Sequence, residues 1–358
     1  MKLAIKIFII TIMFAFAYNA FASDIEFQKG TFKEILAKAK AEKKIVMIDF
    51  FTDWCKWCVE LDKKVYTNDE VSGFANSHQI NWKIDAEKGE GVDLAKHYEV
   101  AGYPTIVFVD ANGKEIDRIV GYIPVNEFLK MMKDFNEGKN TVGSLQKILN
   151  KYPDDPEANY KIAEKKINNE NKPEDAKILL NKAIISDPTD KTGYKDKAIY
   201  LLASISGKTD ELENFIKNYP NSEKVKDAYI SLAETVFQQT GDFVKAQAWY
   251  DKAFEKFGNN DEAITFSYAQ LALQTIAMII KLENPSDENL KYGLELIDKC
   301  LPSVKGSINE GSFYYYQSEI YFRMKDIDNA NTAIDKALSI FDKKVYRDQK
   351  EKINKPQL

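Results

Sequence analysis

Trp54-Cys55-Lys56-Trp57-Cys58 places two thiols three positions apart, a spacing at which one sulfur can attack a disulfide and the other can release what was captured. The pair follows the apolar run Ile45-Val46-Met47-Ile48-Asp49-Phe50-Phe51, with only Thr52-Asp53 before Trp54. Such a run of β-branched and aromatic residues predicts a buried strand, and the cysteines then open the next helix. At a helix N-terminus the macrodipole and unpaired N–H groups favour an anion, so Cys55 is expected to be partly thiolate, with Lys56 adding positive charge beside it. Cys58, one turn on, is placed to displace a mixed disulfide and leave an internal Cys55–Cys58 bond.

Two other uses of the same residues stay open. A Cys-X-X-Cys pair is half of a zinc site, but the other candidate ligands, His78, His97 and Cys300, stand at no ligand spacing. A purely structural disulfide is the second. No metal and no cofactor is expected.

The segment from Asp49 to Cys58 resembles the active-site segment of the thioredoxin superfamily, including the acid six positions before the first cysteine. Gly102-Tyr103-Pro104-Thr105 resembles that family's second signature, the cis-proline loop. The resemblance implies an α/β thioredoxin-like domain, a mixed central sheet flanked by helices, and thiol-disulfide oxidoreductase activity. It implies that Asp49 is buried behind the cysteines, where desolvation suits it to take the proton of Cys58. The family's lysine partner to that acid reads as replaced by Asn81, with Lys83, on the same strand face, as the substitute. Pro104 would be cis, and the loop through Tyr103 and Thr105 would pair with an extended substrate. Trp54, Trp57 and Tyr103 would form an apolar rim around Cys55.

Elements that must position these residues follow in order. Residues 31–42 read as a helix, 80–85 as a strand and 92–98 as a short helix. Thr105–Val109 and Glu115–Val120 flank Asp110-Ala111-Asn112-Gly113, a hairpin signal, and 125–135 closes the domain as a helix.

Lys2 and Lys6 precede an apolar run at 7–18 and then Ala20-Phe21-Ala22, the pattern of a secretory leader cleaved after Ala22. The expected location is the periplasm or cell envelope, with an uncleaved membrane anchor as the alternative. No cysteine follows the cleavage point, which argues against a lipoprotein. The 358 residues, 44% hydrophobic, suggest two domains, at 23–138 and 139–358 after the leader at 1–22. The formal charge is −5 without a basic block, which makes nucleic acid an unsuitable partner. Beyond the leader no apolar run is expected to span a bilayer, since 269–280 is short and carries Gln274.

After Asn140 the pattern turns helical. Ala176-Leu180-Ala183, Ala246-Tyr250-Ala253 and Ala330-Ile334-Ala337 share one spacing in which small residues let a second helix lie close. These units resemble tetratricopeptide repeats, with Pro188 where that motif ends and Tyr314, Ser318 and Tyr321 on the leading helix of the third. Stretches 194–206 and 262–281 are helical but match poorly, so the reading is a degenerate helical-repeat array or a plain helical bundle. Such arrays offer a curved surface to a protein partner. Tyr314-Tyr315-Tyr316, Tyr321 and Phe322 are expected mostly in the core, and Cys300 as a buried small hydrophobe. His78 and His97 carry no assigned chemistry. The linker Glu137-Gly138-Lys139-Asn140 is short and polar and predicts limited movement between the domains.

Together these features point to an exported thiol-disulfide oxidoreductase acting on protein thiols or disulfides, with a helical arm for a protein partner and a membrane electron donor. Lys-Trp between the cysteines differs from the Gly-Pro of reducing thioredoxins and the Pro-His of strong oxidants, and the lean is to a reductase or isomerase. An adaptor with a vestigial redox domain is one alternative. A dedicated reductant in metallochaperone or cytochrome maturation is the other.

Overall fold

A computed structural model describes residues 24–355. The leader and its cleavage point therefore lie outside the described residues.

The apolar run forms the central strand of a five-stranded sheet. Strands β1 (Phe27–Gln28), β2 (Ile45–Phe51), β3 (Gln79–Asp85), β4 (Thr105–Val109) and β5 (Glu115–Val120) lie in the order β1-β3-β2-β4-β5. β3 runs parallel to β2, and β4 and β5 are antiparallel. Alternation along β2 divides its side chains between two cores. Val46, Ile48 and Phe50 pack with α1 (Phe32–Glu42) and α4 (Glu90–His97); Met47 packs with α2 (Lys56–Lys64), α3 (Asp69–His78) and α5 (Val125–Asn136). Asp49 shares the face of Met47, so it lies under α2 and is fully buried.

Local signals set the ends of these elements. Thr31 and Glu34 form a reciprocal cap at the start of α1. Gly113, at φ +80°, closes the β4–β5 turn with its N–H on the Asp110 carbonyl. Two elements were not anticipated. β1 has only two residues, too few for periodicity. α3 announces itself only through Asn68, whose side chain accepts from the Glu70 and Val71 N–H groups.

From α6 (Val142–Lys151) onward the described chain is helical. Five helical hairpins stack in sequence: α7 (Pro156–Asn168) with α8 (Pro173–Ser186), α9 (Lys195–Ser206) with α10 (Thr209–Asn218), α11 (Val225–Thr240) with α12 (Phe243–Phe257), α13 (Glu262–Lys281) with α14 (Asp287–Val304), and α15 (Ile308–Arg323) with α16 (Ile327–Ile340). α17 (Lys344–Asn354) follows. All nine residues of the shared Ala-large-Ala pattern are wholly buried, on α8, α12 and α16. Each alanine lets the partner backbone approach without a void. The two poorly matching stretches are the leading helices of intervening hairpins, α9 and α13.

One expectation is corrected here. Helix α13 runs 20 residues, longer than the apolar segment 269–280, and by length and composition it could cross a membrane. Its apolar excess is instead spent on packing: Ile264, Ala269, Leu271, Ala272, Leu273 and Ile276 join one core with α12 and α14. Cys300 lies in the same core, its thiol pushed up to about 12 by burial. Tyr314, Tyr315, Tyr321 and Phe322 pack around Ile334 and Tyr346.

The α/β part and the helical region are joined through a buried carboxylate. Asp117 of β5 pairs with Lys165 of α7 at 2.9 Å and accepts the N–H of Val142, the first residue of α6, at 3.0 Å. Asn169 donates to the Arg118 carbonyl at 3.2 Å, and Asn140 in the linker accepts from Lys161 at 2.7 Å. These bonds tie the first hairpin of the arm to the edge of the sheet.

Candidate active site

Cys55 and Cys58 form a disulfide at the start of α2. Cys55 is the N-cap residue, and its Sγ accepts the N–H of Cys58 at 3.0 Å. That N–H is one of the donors a helix leaves unpaired at its N-terminus, and it would stabilise a thiolate on the same sulfur after reduction. Both cysteines are buried apart from a small edge.

Beneath them Asp49 stands opposite Lys83 in the β2–β3 register, Lys83 Nζ lying 3.1 Å from Asp49 Oδ2. This is ion-pair distance without the alignment of a hydrogen bond, and both Asp49 oxygens lack an aligned donor, as do the buried Thr52 and Tyr66 hydroxyls their partners. Burial pushes the Asp49 carboxyl up, against the opposing pull of Lys83. A carboxyl raised in this way holds a proton more readily than a free one does. Lys83 is shared: its ammonium also hydrogen-bonds Asp62 on α2. Desolvation pulls the Lys83 pKa down, but the two carboxylates outweigh it and the net shift is upward. Asn81 is not the residue beside Asp49. It stands opposite Met47 and bonds Gln79 and Asn76, so the strand residue facing Asp49 is Lys83.

The expected aromatic rim is divided. Trp54 is 65% exposed, meets Tyr103 edge-on at 5.8 Å, and donates its Nε1–H to Glu87 at 3.1 Å. Trp57 turns to the other side, between Tyr122 at 5.8 Å and Phe266 of α13 at 5.5 Å. Lys56 directs its side chain toward the helical region. Its ammonium lies over the Trp57 ring at 5.0 Å and donates to Asn309 of α15 at 3.4 Å.

The Tyr103-Pro104 peptide bond is cis. Thr105 is buried in β4 and donates its hydroxyl to the Gly102 carbonyl at 2.8 Å, which makes it a brace for the loop. The Pro104 carbonyl accepts from Gly121, while the N–H and carbonyl of Tyr103 have no backbone partner among the described residues. Tyr103 thus carries unpaired main-chain groups at the cis bond itself. His78 stacks on Phe74 and His97 packs against Tyr98. Sequence reasoning did not find Asp62, Tyr66, Tyr122, Phe266 or Asn309, which no local motif marks.

A mixed sheet with a disulfide at the start of α2, a buried acid below it and a cis-proline loop beside it defines a thioredoxin-like domain, and the family model for such a domain matches residues 32–136. Over 98 residues the chain is 34% identical to the thiol:disulfide interchange protein DsbD of Tatumella citrea, covering 26% of this chain and 17% of that one. It is 37% identical over 89 residues to DsbD of Haemophilus ducreyi, covering 24% and 16%. The chain thus spans about one sixth of the length of these curated relatives. A solved thioredoxin from Thermus thermophilus is 28% identical, covering 31% of this chain and 87% of that one, with a TM-score of 0.29.

Proposed function

We propose that this protein is an exported thiol-disulfide oxidoreductase of protein substrates, with a redox domain at 23–138 and a degenerate tetratricopeptide-like arm at 139–358. The observation that carries the reading is the Cys55–Cys58 disulfide at the head of α2, with the Cys58 N–H on the Cys55 sulfur and Asp49 buried below. The likeness to thiol:disulfide interchange proteins supports it.

In the reductive direction, the Cys55 thiolate attacks one sulfur of a client disulfide and the other sulfur leaves as a thiolate. Asp49 then takes the proton of Cys58, whose thiolate attacks Cys55, closes the internal disulfide and frees the second client thiol. Two electrons pass to the client, and an external dithiol, carried by a membrane donor, restores the reduced pair. Trp54 and Tyr103 hold the client on one side, with the free main-chain groups of Tyr103 pairing with its backbone.

The test is trapping. Full-length Cys58→Ser is expected to accumulate mixed disulfides with protein clients through Cys55, and Cys55→Ser to accumulate none. Equal labelling of both variants would overturn the assignment of roles. A redox titration of the pair sets the direction: a midpoint near the oxidising end of the thioredoxin-fold range, about −120 mV, would make the protein an oxidase rather than a reductase or isomerase.

A further inference from the structure

The later hairpins of the arm return to the redox pair. Phe266 of α13 packs on Trp57, and Asn309, in the first turn of α15, receives Lys56. Asn309, Ser312 and Tyr315 recur at three-residue spacing and so share a stripe of α15. That stripe faces α17. Tyr315 stacks on Tyr346 at 5.1 Å, and the Ser312 and Tyr346 hydroxyls lie 3.5 Å apart. Tyr346 is in the first turn of α17, and Lys343 is the residue that starts that helix, its ammonium over the rings of Phe341 and Tyr346 at 5.0 and 5.5 Å.

Lys56, next to the nucleophile in sequence, and Lys343 are thus linked through one stripe of α15, the first at Asn309 and the second beside Tyr346. Burial holds the Lys343 pKa down and the charge of Lys56 adds to the effect; burial alone does the same to Lys56. No carboxylate offsets either of them among the described residues. The helices α15 and α17 also begin here without a side-chain cap, leaving first-turn N–H groups unclaimed by side chains. Half-buried like charges with no counter-ion are costly, and the cost falls when an anion sits between them.

We infer that Lys343 and Lys56 form a specificity site for a carboxylate, so that the preferred client is an extended protein segment carrying Asp or Glu next to the cysteine that Cys55 engages. The inference rests on the oxidoreductase reading above and adds the client's charge to it. The arm then acts in the exchange itself, as the wall opposite Trp54 and Tyr103. Phe266 and Trp57 are the apolar part of that wall.

Three synthetic disulfide peptides, identical except for Glu, Gln or Lys flanking the cysteine, test the inference against the full-length protein. At low salt the Glu peptide is expected to exceed the Lys peptide about tenfold in kcat/KM, with the margin shrinking as salt rises. Lys343→Met should bring that ratio close to one, and Lys343→Arg should keep it. Equal rates for the three peptides in the unaltered protein, or an undiminished ratio in Lys343→Met, would overturn the inference. Fluorescein-labelled serine versions of the same peptides, which cannot exchange, report the same preference by anisotropy. Absence of exchange with every peptide defeats the oxidoreductase reading, whereas equal binding of the serine peptides defeats only the charge selection.

Discussion

Lys83 stands between two carboxylates of unequal depth: Asp49, fully buried behind the disulfide with Oδ2 at 3.1 Å, and Asp62, on the open side of α2. One ammonium thereby links the acid beneath the cysteines to solvent. The pair also explains why Asp49 is not simply an ion-paired carboxylate, since its counter-charge is divided.

Asp49→Asn tests the cost of that buried acid. Its pKa is raised in the folded state, so the fold holds the proton to higher pH than the unfolded chain does. The stability it contributes is full below the unfolded value of about 3.9 and is lost as pH rises through the raised one. Asn removes the dependence. We expect the variant to be more stable than the parent at pH 8 by about 1 kcal/mol, with a smaller difference at acid pH, while resolution of the mixed disulfide slows. Denaturant titrations at pH 5 and pH 8 check the first part and stopped-flow exchange the second.

Asp62→Asn removes a charge that raises the Asp49 pKa and frees Lys83 to serve Asp49 alone. The pKa of Asp49 should fall, moving the pH profile of the resolving step to lower pH. A profile unchanged from the parent would mean that Asp62 is too well screened by water to matter.

Asp117→Ala leaves Lys165, whose side chain is only 13% exposed, without its partner and removes the acceptor for the first N–H of α6. Breaking a buried pair in this way costs about 3 kcal/mol. Because Asp117 joins sheet to arm, calorimetry should separate one cooperative transition into two. Asp117→Asn, which keeps an acceptor, is expected to lose less.

Ala253→Leu adds three carbons at a wholly buried position of α12. Overpacking of this kind costs about 1–3 kcal/mol. The loss should appear as a lower thermal transition temperature and leave the redox midpoint of Cys55–Cys58 untouched.

Much of the fold is legible because short-range periodicity writes it. The run 45–51 is a strand, the two strands of the hairpin match their expected bounds, and the three Ala-large-Ala patterns are buried at every position. The cysteine pair is legible for the same reason, since its chemistry needs only a strand before it and a helix after it. Lys83 is legible as a partner of Asp49 from its strand face, and the β2–β3 register adds that the two stand directly opposite each other. β1 is defined by its neighbour in the sheet rather than by its own two residues. Phe266, Asn309 and Lys343 stand more than two hundred residues from Cys55, and only the curvature of five stacked hairpins brings them back. No motif at those positions encodes that return.

Both ends of the helical region rest on the same small domain, one at Asp117 and the other at Lys56 and Trp57. The hairpins between act as an arch with two footings, and the span of an arch sets how many stones it takes. Inserting or deleting a hairpin near α9 or α11 would carry the far footing off the catalytic helix although no residue there had changed.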